Sequence, residues 1–227
     1  MKILLVISIA AIFILFMNIK TIQKNPYISI RLICTILFSL SIMRYITLLL
    51  FAQLPSLELI NKLKYFYYIT IIGLTIPFII LIWYITPLYR NKIKPLALGI
   101  ICLPHILFYI SLIIMQPFKA IKSDRIGYNL TLVGRWPRYL AFIQLTYIII
   151  YIILSIYGFT LYKHKQTRGQ YLILIMCHIL FLIDGLTYFG TSSPYIPVFT
   201  FTEVFGFLTL YYGFSIPTID FRKIKKG

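Results

Sequence analysis

The sequence predicts an all-α membrane protein: a seven-transmembrane helix bundle with its N-terminus outside and its C-terminus in the cytoplasm. Three observations carry this. Of 227 residues, 60% are hydrophobic and 12% charged, and mean hydropathy is +0.91; soluble domains average about 45–50% apolar and about 25% charged. A water-soluble fold of this length would have no polar skin to cover such a core. The apolar residues fall into seven runs suited to a hydrocarbon layer of about 30 Å at 1.5 Å of rise per residue. The runs are continuous rather than alternating, which selects helices over barrel strands. Together these exclude a soluble enzyme, a free nucleic-acid binder and a disordered chain.

In chain order the spans are Ile3 to Asn18, Tyr27 to Phe51, Tyr65 to Ile85, Leu96 to Met115, Tyr139 to Tyr162, Tyr171 to Phe189 and Ile196 to Ile219. The first resembles a signal peptide in its Lys2 and the apolar run that follows. Met17, Asn18, Ile19 and Lys20 offer no small-residue cleavage site, so it is retained as a span. The spans form a single domain over 1–227, without linker, repeat or low-complexity stretch. The longest connection is Gln116 to Arg138, and Asp220 to Gly227 follow the last span. Pro77 and Pro104 are expected to kink the third and fourth helices. Aromatic residues at the span ends, among them Tyr65 to Tyr68, Trp83, Tyr84 and Trp136, read as interface anchors.

The net charge of +17, from 22 Lys+Arg against 5 Asp+Glu, would suggest nucleic acid on a soluble protein. Here the basic residues lie between apolar runs, where they set topology and meet anionic headgroups. One side carries Lys20, Lys24, Arg90, Lys92, Lys94, Lys163, Lys165, Arg168 and the four basic residues of the tail, twelve in all. The other carries eight: Lys2, Lys62, Lys64 and five in the loop between spans four and five, Lys119, Lys122, Arg125, Arg135 and Arg138. The positive-inside rule therefore places the N-terminus outside. The basic loop argues against this and is either an exception or a functional surface; on a receptor-like reading it would be a lid that attracts anionic ligands or headgroups.

Ionisable residues within spans are expensive and are functional candidates by default. Arg44 lies roughly 10 Å below one end of span two, and Asp184 and Glu203 lie about 9 Å below the corresponding ends of spans six and seven. One cation and two anions at one depth can neutralise one another if they face inward. Helical spacing supports this. Ser41, Arg44 and Thr47 share a face of span two, and Glu203, Gly206, Thr209 and Gly213 share a face of span seven. On span five, Gln144, Tyr147, Tyr151, Ser155 and Gly158 do the same, and on span six Asp184 shares a face with Thr187 and Cys177. The expectation is a semi-polar chamber opening outward, with Arg44, Asp184, Glu203, Gln144 and Tyr147 as a ligand-binding set or buried charge cluster. Two readings stand side by side: a packing ion pair, and a ligand or ion site.

The remaining chemistry is thin. Cys34, Cys102 and Cys177 lie in three different spans and read as small apolar core residues. His105 and His178 read as satisfied core histidines rather than metal ligands. Retinal chemistry lacks a lysine within a span core, HExxH is absent, the acids are too scattered for DDxxD, and there is no GxSxG or phosphate-cradling loop. Neither catalytic residues, a metal nor a cofactor is assigned, and the protein is not read as an enzyme. A lipid-acting enzyme with His105 or His178 as base has no supporting motif.

One resemblance covers nearly the whole chain. Leu63-Lys64-Tyr65-Phe66-Tyr67-Tyr68-Ile69, followed by Gly73 and Pro77-Phe78, is similar to the third span of the seven-helix sensor module at the N-terminus of some prokaryotic histidine kinases. Pro104 in span four, the long loop after it and the closing Leu210-Tyr211-Tyr212-Gly213-Phe214-Ser215-Ile216-Pro217-Thr218-Ile219-Asp220 resemble that module too. The family often carries an acid late in span two, where this chain has Arg44. It usually continues into an output domain, whereas this sequence closes eight residues after span seven. The resemblance implies a stand-alone, multi-pass sensor of the cell membrane that acts through a separate signalling protein at the cytoplasmic face. Its partners would be the lipid bilayer, that protein and a small-molecule or lipid ligand, with no nucleic acid. The alternative is a small transporter, or a subunit of one, using the Arg/Asp/Glu group as an ion or proton site. Internal repeats and broken helices, the usual marks of that class, are not visible in the sequence.

Overall fold

The computed structural model describes residues 2–53, 55–123, 127–190 and 200–216. The described chain is 82% helical. Its helices are α1 (Lys2–Ile22), α2 (Ile28–Ala52), α3 (Leu57–Tyr67), α4 (Thr70–Gly73), α5 (Thr75–Ile85), α6 (Pro87–Lys92), α7 (Pro95–Met115), α8 (Trp136–Leu161), α9 (Lys165–Gly190) and α10 (Thr200–Ser215). Six helical segments are long and apolar enough to cross a membrane. The seventh run is helical over Thr200–Ser215, and its expected ends at 196–199 and 217–219 lie outside the described residues.

Several boundaries move. The first span continues to Ile22, taking Lys20 into the helix, and the sixth begins at Lys165, taking in Arg168. The third begins at Leu57, eight residues early, so Lys62 and Lys64 are helical rather than in a loop. Ser56 caps that helix by accepting from the Leu59 N–H, and Glu58 bonds Lys62 one turn on. Hydropathy marks only the apolar part of a helix, so polar first turns are missed.

The third span is the hub of the bundle. In its most apolar stretch 83% of residues are buried, against 17–44% in the other five segments. Helices α2, α7, α8 and α10 pack against it, while α1 joins α2 to α10 and α9 joins α8 to α10. Only such a central position leaves almost none of a helix facing lipid. Small residues allow the close contacts. A Cβ on Gly213 would lie 2.5 Å from Leu81, and one on Gly158 would lie 2.3 Å from the Tyr171 ring. The Asn18 amide, which donates to the Phe207 carbonyl at 2.9 Å, ties α1 to α10.

The hub is not one continuous helix. Between α3 and α4 the hydrogen bonds shorten to i→i−3 (Ile69 to Phe66, Ile71 to Tyr68, Ile72 to Ile69). Because the Ile71 N–H turns to Tyr68, the Tyr67 carbonyl stands outside the regular ladder. The expected kink at Pro77 takes this form, with the breaks at Tyr68–Ile69 and Leu74 rather than at the proline. Pro104 sits inside an unbroken α7.

One element departs from the all-α expectation. The loop after α7 is an antiparallel hairpin of β1 (Phe118–Ser123) and β2 (Gly127–Leu132), in register from Phe118 opposite Leu132 to Ser123 opposite Gly127. Its strands are six residues each, too short to register as apolar runs, and β1 is broken up by Lys119 and Lys122. Leu130 and Leu132 are buried, and the Leu130 carbonyl accepts from the Tyr68 hydroxyl at 2.8 Å. Gly127, at φ +79°, lies against the end of α2, where a Cβ would come within 2.3 Å of the Phe51 carbonyl oxygen. The hairpin thus caps one end of the bundle.

Candidate functional site

The site is built where α2, the broken third span and α10 meet. Arg44 is 3% exposed, and burying a guanidinium this far requires a counter-charge and hydrogen bonds. Its Nε donates to Glu203 Oε2 at 2.9 Å. Its Nη1 donates to the Tyr67 carbonyl at the helix break, and its guanidinium lies 5.3 Å from the centre of the Tyr67 ring. Glu203 is matched as fully. Tyr45 donates its hydroxyl to Oε2 at 3.0 Å, and Thr70 donates to Oε1 at 2.7 Å. Three helical segments therefore converge on one carboxylate.

This cluster is linked to the hairpin. The Tyr67 hydroxyl donates to Asn129 Oδ1 on β2, so one tyrosine touches the buried arginine at its backbone and ring and the cap of the bundle at its hydroxyl. Lys119, Lys122, Arg135 and Arg138 are all exposed on or beside the hairpin; Arg125 lies outside the described residues. The expected basic surface is therefore carried by a folded hairpin and the first turn of α8 rather than by an open loop.

Glu203 also lines a cavity within the bundle, together with His105, His178, Gln144, Tyr147 and Tyr151. Its volume is about 50 Å³, room for a few water-sized groups at about 10–15 Å³ each. Five helical segments contribute its walls. His105 is fully buried, and both of its ring nitrogens lack a hydrogen-bond partner among the described residues. Its ring stands edge-on to Tyr147 with centroids 4.2 Å apart. His178 is held by Nδ1 at 2.7 Å from the Leu174 carbonyl, and its Nε2 is likewise without a partner there. Tyr147 donates to the Ile101 carbonyl at 2.5 Å, and Tyr151 donates to the Thr75 carbonyl at 3.3 Å.

The expected set is thus brought together in part. Arg44 and Glu203 are paired directly, and Glu203, Gln144 and Tyr147 share the cavity, with Arg44 standing behind Glu203. Asp184 is half-buried and accepts from Thr202 Oγ1 at 2.6 Å, one residue from Glu203 in sequence. The Thr187 side chain lies outside what the structure describes. Three readings are corrected. His105 is not a satisfied core histidine, because the helices around it offer its nitrogens no partner, and His178 is satisfied at one nitrogen only. Tyr67 is not an interface anchor but a buried partner of Arg44, since the third span runs through the centre. The same central placement buries Trp83 and Tyr84.

Tyr45, Thr70 and Tyr67 were not legible as site residues. Tyr45 follows Arg44 directly and so falls outside its helical stripe. The two others lie at a break that hydropathy does not register. Among the described residues no group of three or more His, Cys, Asp or Glu could hold a metal ion. The three cysteines are buried in the core. No family model matches the chain, and no curated protein is significantly similar to it.

Proposed function

We propose that this chain is a seven-helix, receptor-like module of the cell membrane, with its N-terminus outside and its C-terminus in the cytoplasm. It is non-enzymatic. A small-molecule or lipid ligand binds in the chamber among Glu203, Gln144, Tyr147 and the two histidines. Signalling leaves through α10 to a separate signalling protein at the cytoplasmic face. The supporting observation is the partly unsatisfied cavity whose wall includes Glu203. That carboxylate is joined through Arg44 to Tyr67, and through Tyr67 to the basic hairpin. A ligand touching Glu203 would thereby bias both α10 and the cap, the differential contact that a two-state switch requires. The sequence resemblance to sensor modules agrees with this reading. Ion or proton transport has less support, because Glu203 is already matched by Arg44 at 2.9 Å.

The test is in-cell crosslinking from a tag after Gly227, with bound proteins identified by mass spectrometry. A stoichiometric signalling partner is expected, and Arg44→Ala and Glu203→Ala should each abolish its response while leaving membrane insertion intact. A protein that runs alone, with ion flux in proteoliposomes, would replace this reading by the transport one.

A further inference from the structure

A second volume adjoins the cavity. Helices α8 and α9 enclose an apolar groove of about 150 Å³, walled by residues that include Leu140, Phe142, Leu145, Leu182 and Leu186. Phe142 is 73% and Leu186 60% exposed, so the groove opens on the face that lipid surrounds. Gln144, Ile148 and Phe181 belong to the walls of both volumes. These three side chains therefore stand between an apolar, lipid-facing slot and a partly open chamber whose histidine nitrogens lack partners among the described residues.

We propose that the two form one site for a single-chain membrane amphiphile with an uncharged, hydroxyl-bearing head. The apolar chain lies in the α8–α9 groove and the hydroxyl reaches His105 and His178 past Gln144. This rests on the receptor reading above and names its ligand class. The chemistry of the head follows from the nitrogens. A carbonyl only accepts, so the His178 Nδ1 that faces the Leu174 carbonyl carries the ring proton, and in the neutral ring Nε2 is then an acceptor. Neutral His105 presents one donor and one acceptor. A hydroxyl can donate its one hydrogen bond to His178 Nε2 while accepting from the N–H of His105, so it engages both rings. A carboxylate or phosphate head donates nothing to Nε2 and would meet the carboxylate of Glu203.

The experiment uses the full chain in phosphatidylcholine nanodiscs and a long-chain alcohol carrying a diazirine and a terminal alkyne. A matched hydrocarbon probe without the hydroxyl serves as comparison. Saturable labelling of α8 and α9 around Phe142 and Leu186 is expected from the alcohol alone, competed by unlabelled alcohol. His105→Phe with His178→Phe should lower it about tenfold or more, the loss of one to two hydrogen bonds in a buried site. His105→Asn, which keeps a donor and an acceptor, should retain most of it. Ala141→Trp, which fills the groove from a position outside the cavity wall, should abolish it, and this variant decides the matter if the histidine pair does not fold. Equal labelling by both probes, or labelling indifferent to the histidines and to Ala141→Trp, would overturn the proposal and leave the groove as ordinary lipid contact. The two proposals fail separately. Saturable labelling with no partner in the tail crosslink removes the receptor reading alone. A partner without labelling removes the ligand class alone.

Discussion

Replacing Arg44 and Glu203 singly and together tests the centre of the bundle most directly. Methionine is the substitution of choice, being apolar, unbranched and close in length to both. In Arg44→Met, Glu203 keeps the Tyr45 and Thr70 hydroxyls at 3.0 and 2.7 Å but loses its counter-charge. In Glu203→Met, Arg44 keeps the Tyr67 carbonyl and ring but is left a buried, uncompensated cation. Breaking a buried pair from one side costs about 3–5 kcal/mol. Replacing both partners by apolar groups of similar volume is often neutral or stabilising. The double variant should therefore stand within about 1–2 kcal/mol of the wild type, the residual cost being the hydroxyls of Tyr45 and Thr70 left without an acceptor. If the single losses were additive the double variant would lose about 6–10 kcal/mol, so the cycle should return a coupling of at least about 4 kcal/mol. Equilibrium unfolding in mixed micelles, followed by steric trapping, supplies the four free energies. Single variants within about 0.5 kcal/mol of wild type, or a double variant as unstable as the sum, would refute the assignment of this pair as a desolvated, mutually dependent unit.

Three further outcomes follow from the geometry. Tyr67→Phe removes the hydroxyl bond to Asn129 and should cost about 1 kcal/mol; deuterium uptake should rise over Gly127–Leu132 while α2 is unchanged, and equal uptake in both proteins would disconnect the hairpin from the core. Gly127→Ala faces both a positive φ and the Phe51 carbonyl at 2.3 Å, so the cap should loosen and trypsin should cut faster at Lys119 and Lys122, with wild-type rates as the contrary result. Gly158→Ala places a methyl 2.3 Å from the rigid ring of Tyr171, whose hydroxyl is bonded to Thr86 at 2.6 Å. A loss of about 1–3 kcal/mol is expected from overpacking, and an unchanged thermal midpoint would show that α8 and α9 are not in that register.

Local rules govern one part of the fold, and that part can be read from the residues alone. In hydrocarbon every backbone group must be satisfied within its own segment, so runs of about 20 apolar residues announce helices one at a time, and all seven runs are helical where they are described. The inward stripes were equally legible. Ser41, Arg44 and Thr47, and Glu203, Gly206 and Thr209, are all buried, because helical periodicity sorts polar residues onto one face before any partner is known.

The remainder depends on packing between segments distant in sequence. The partnership of Arg44 with Glu203 spans 159 positions, and nothing local told Glu203 from Asp184 as the preferred acid. Tyr67 looked like a headgroup anchor because position in a run does not reveal whether that run faces lipid or other helices. The hairpin was hidden because six-residue strands carry neither apolar length nor a helical period. The cavity around His105 and His178, and the groove beside it, exist only where five helical segments fail to close on one another, a property of their packing together.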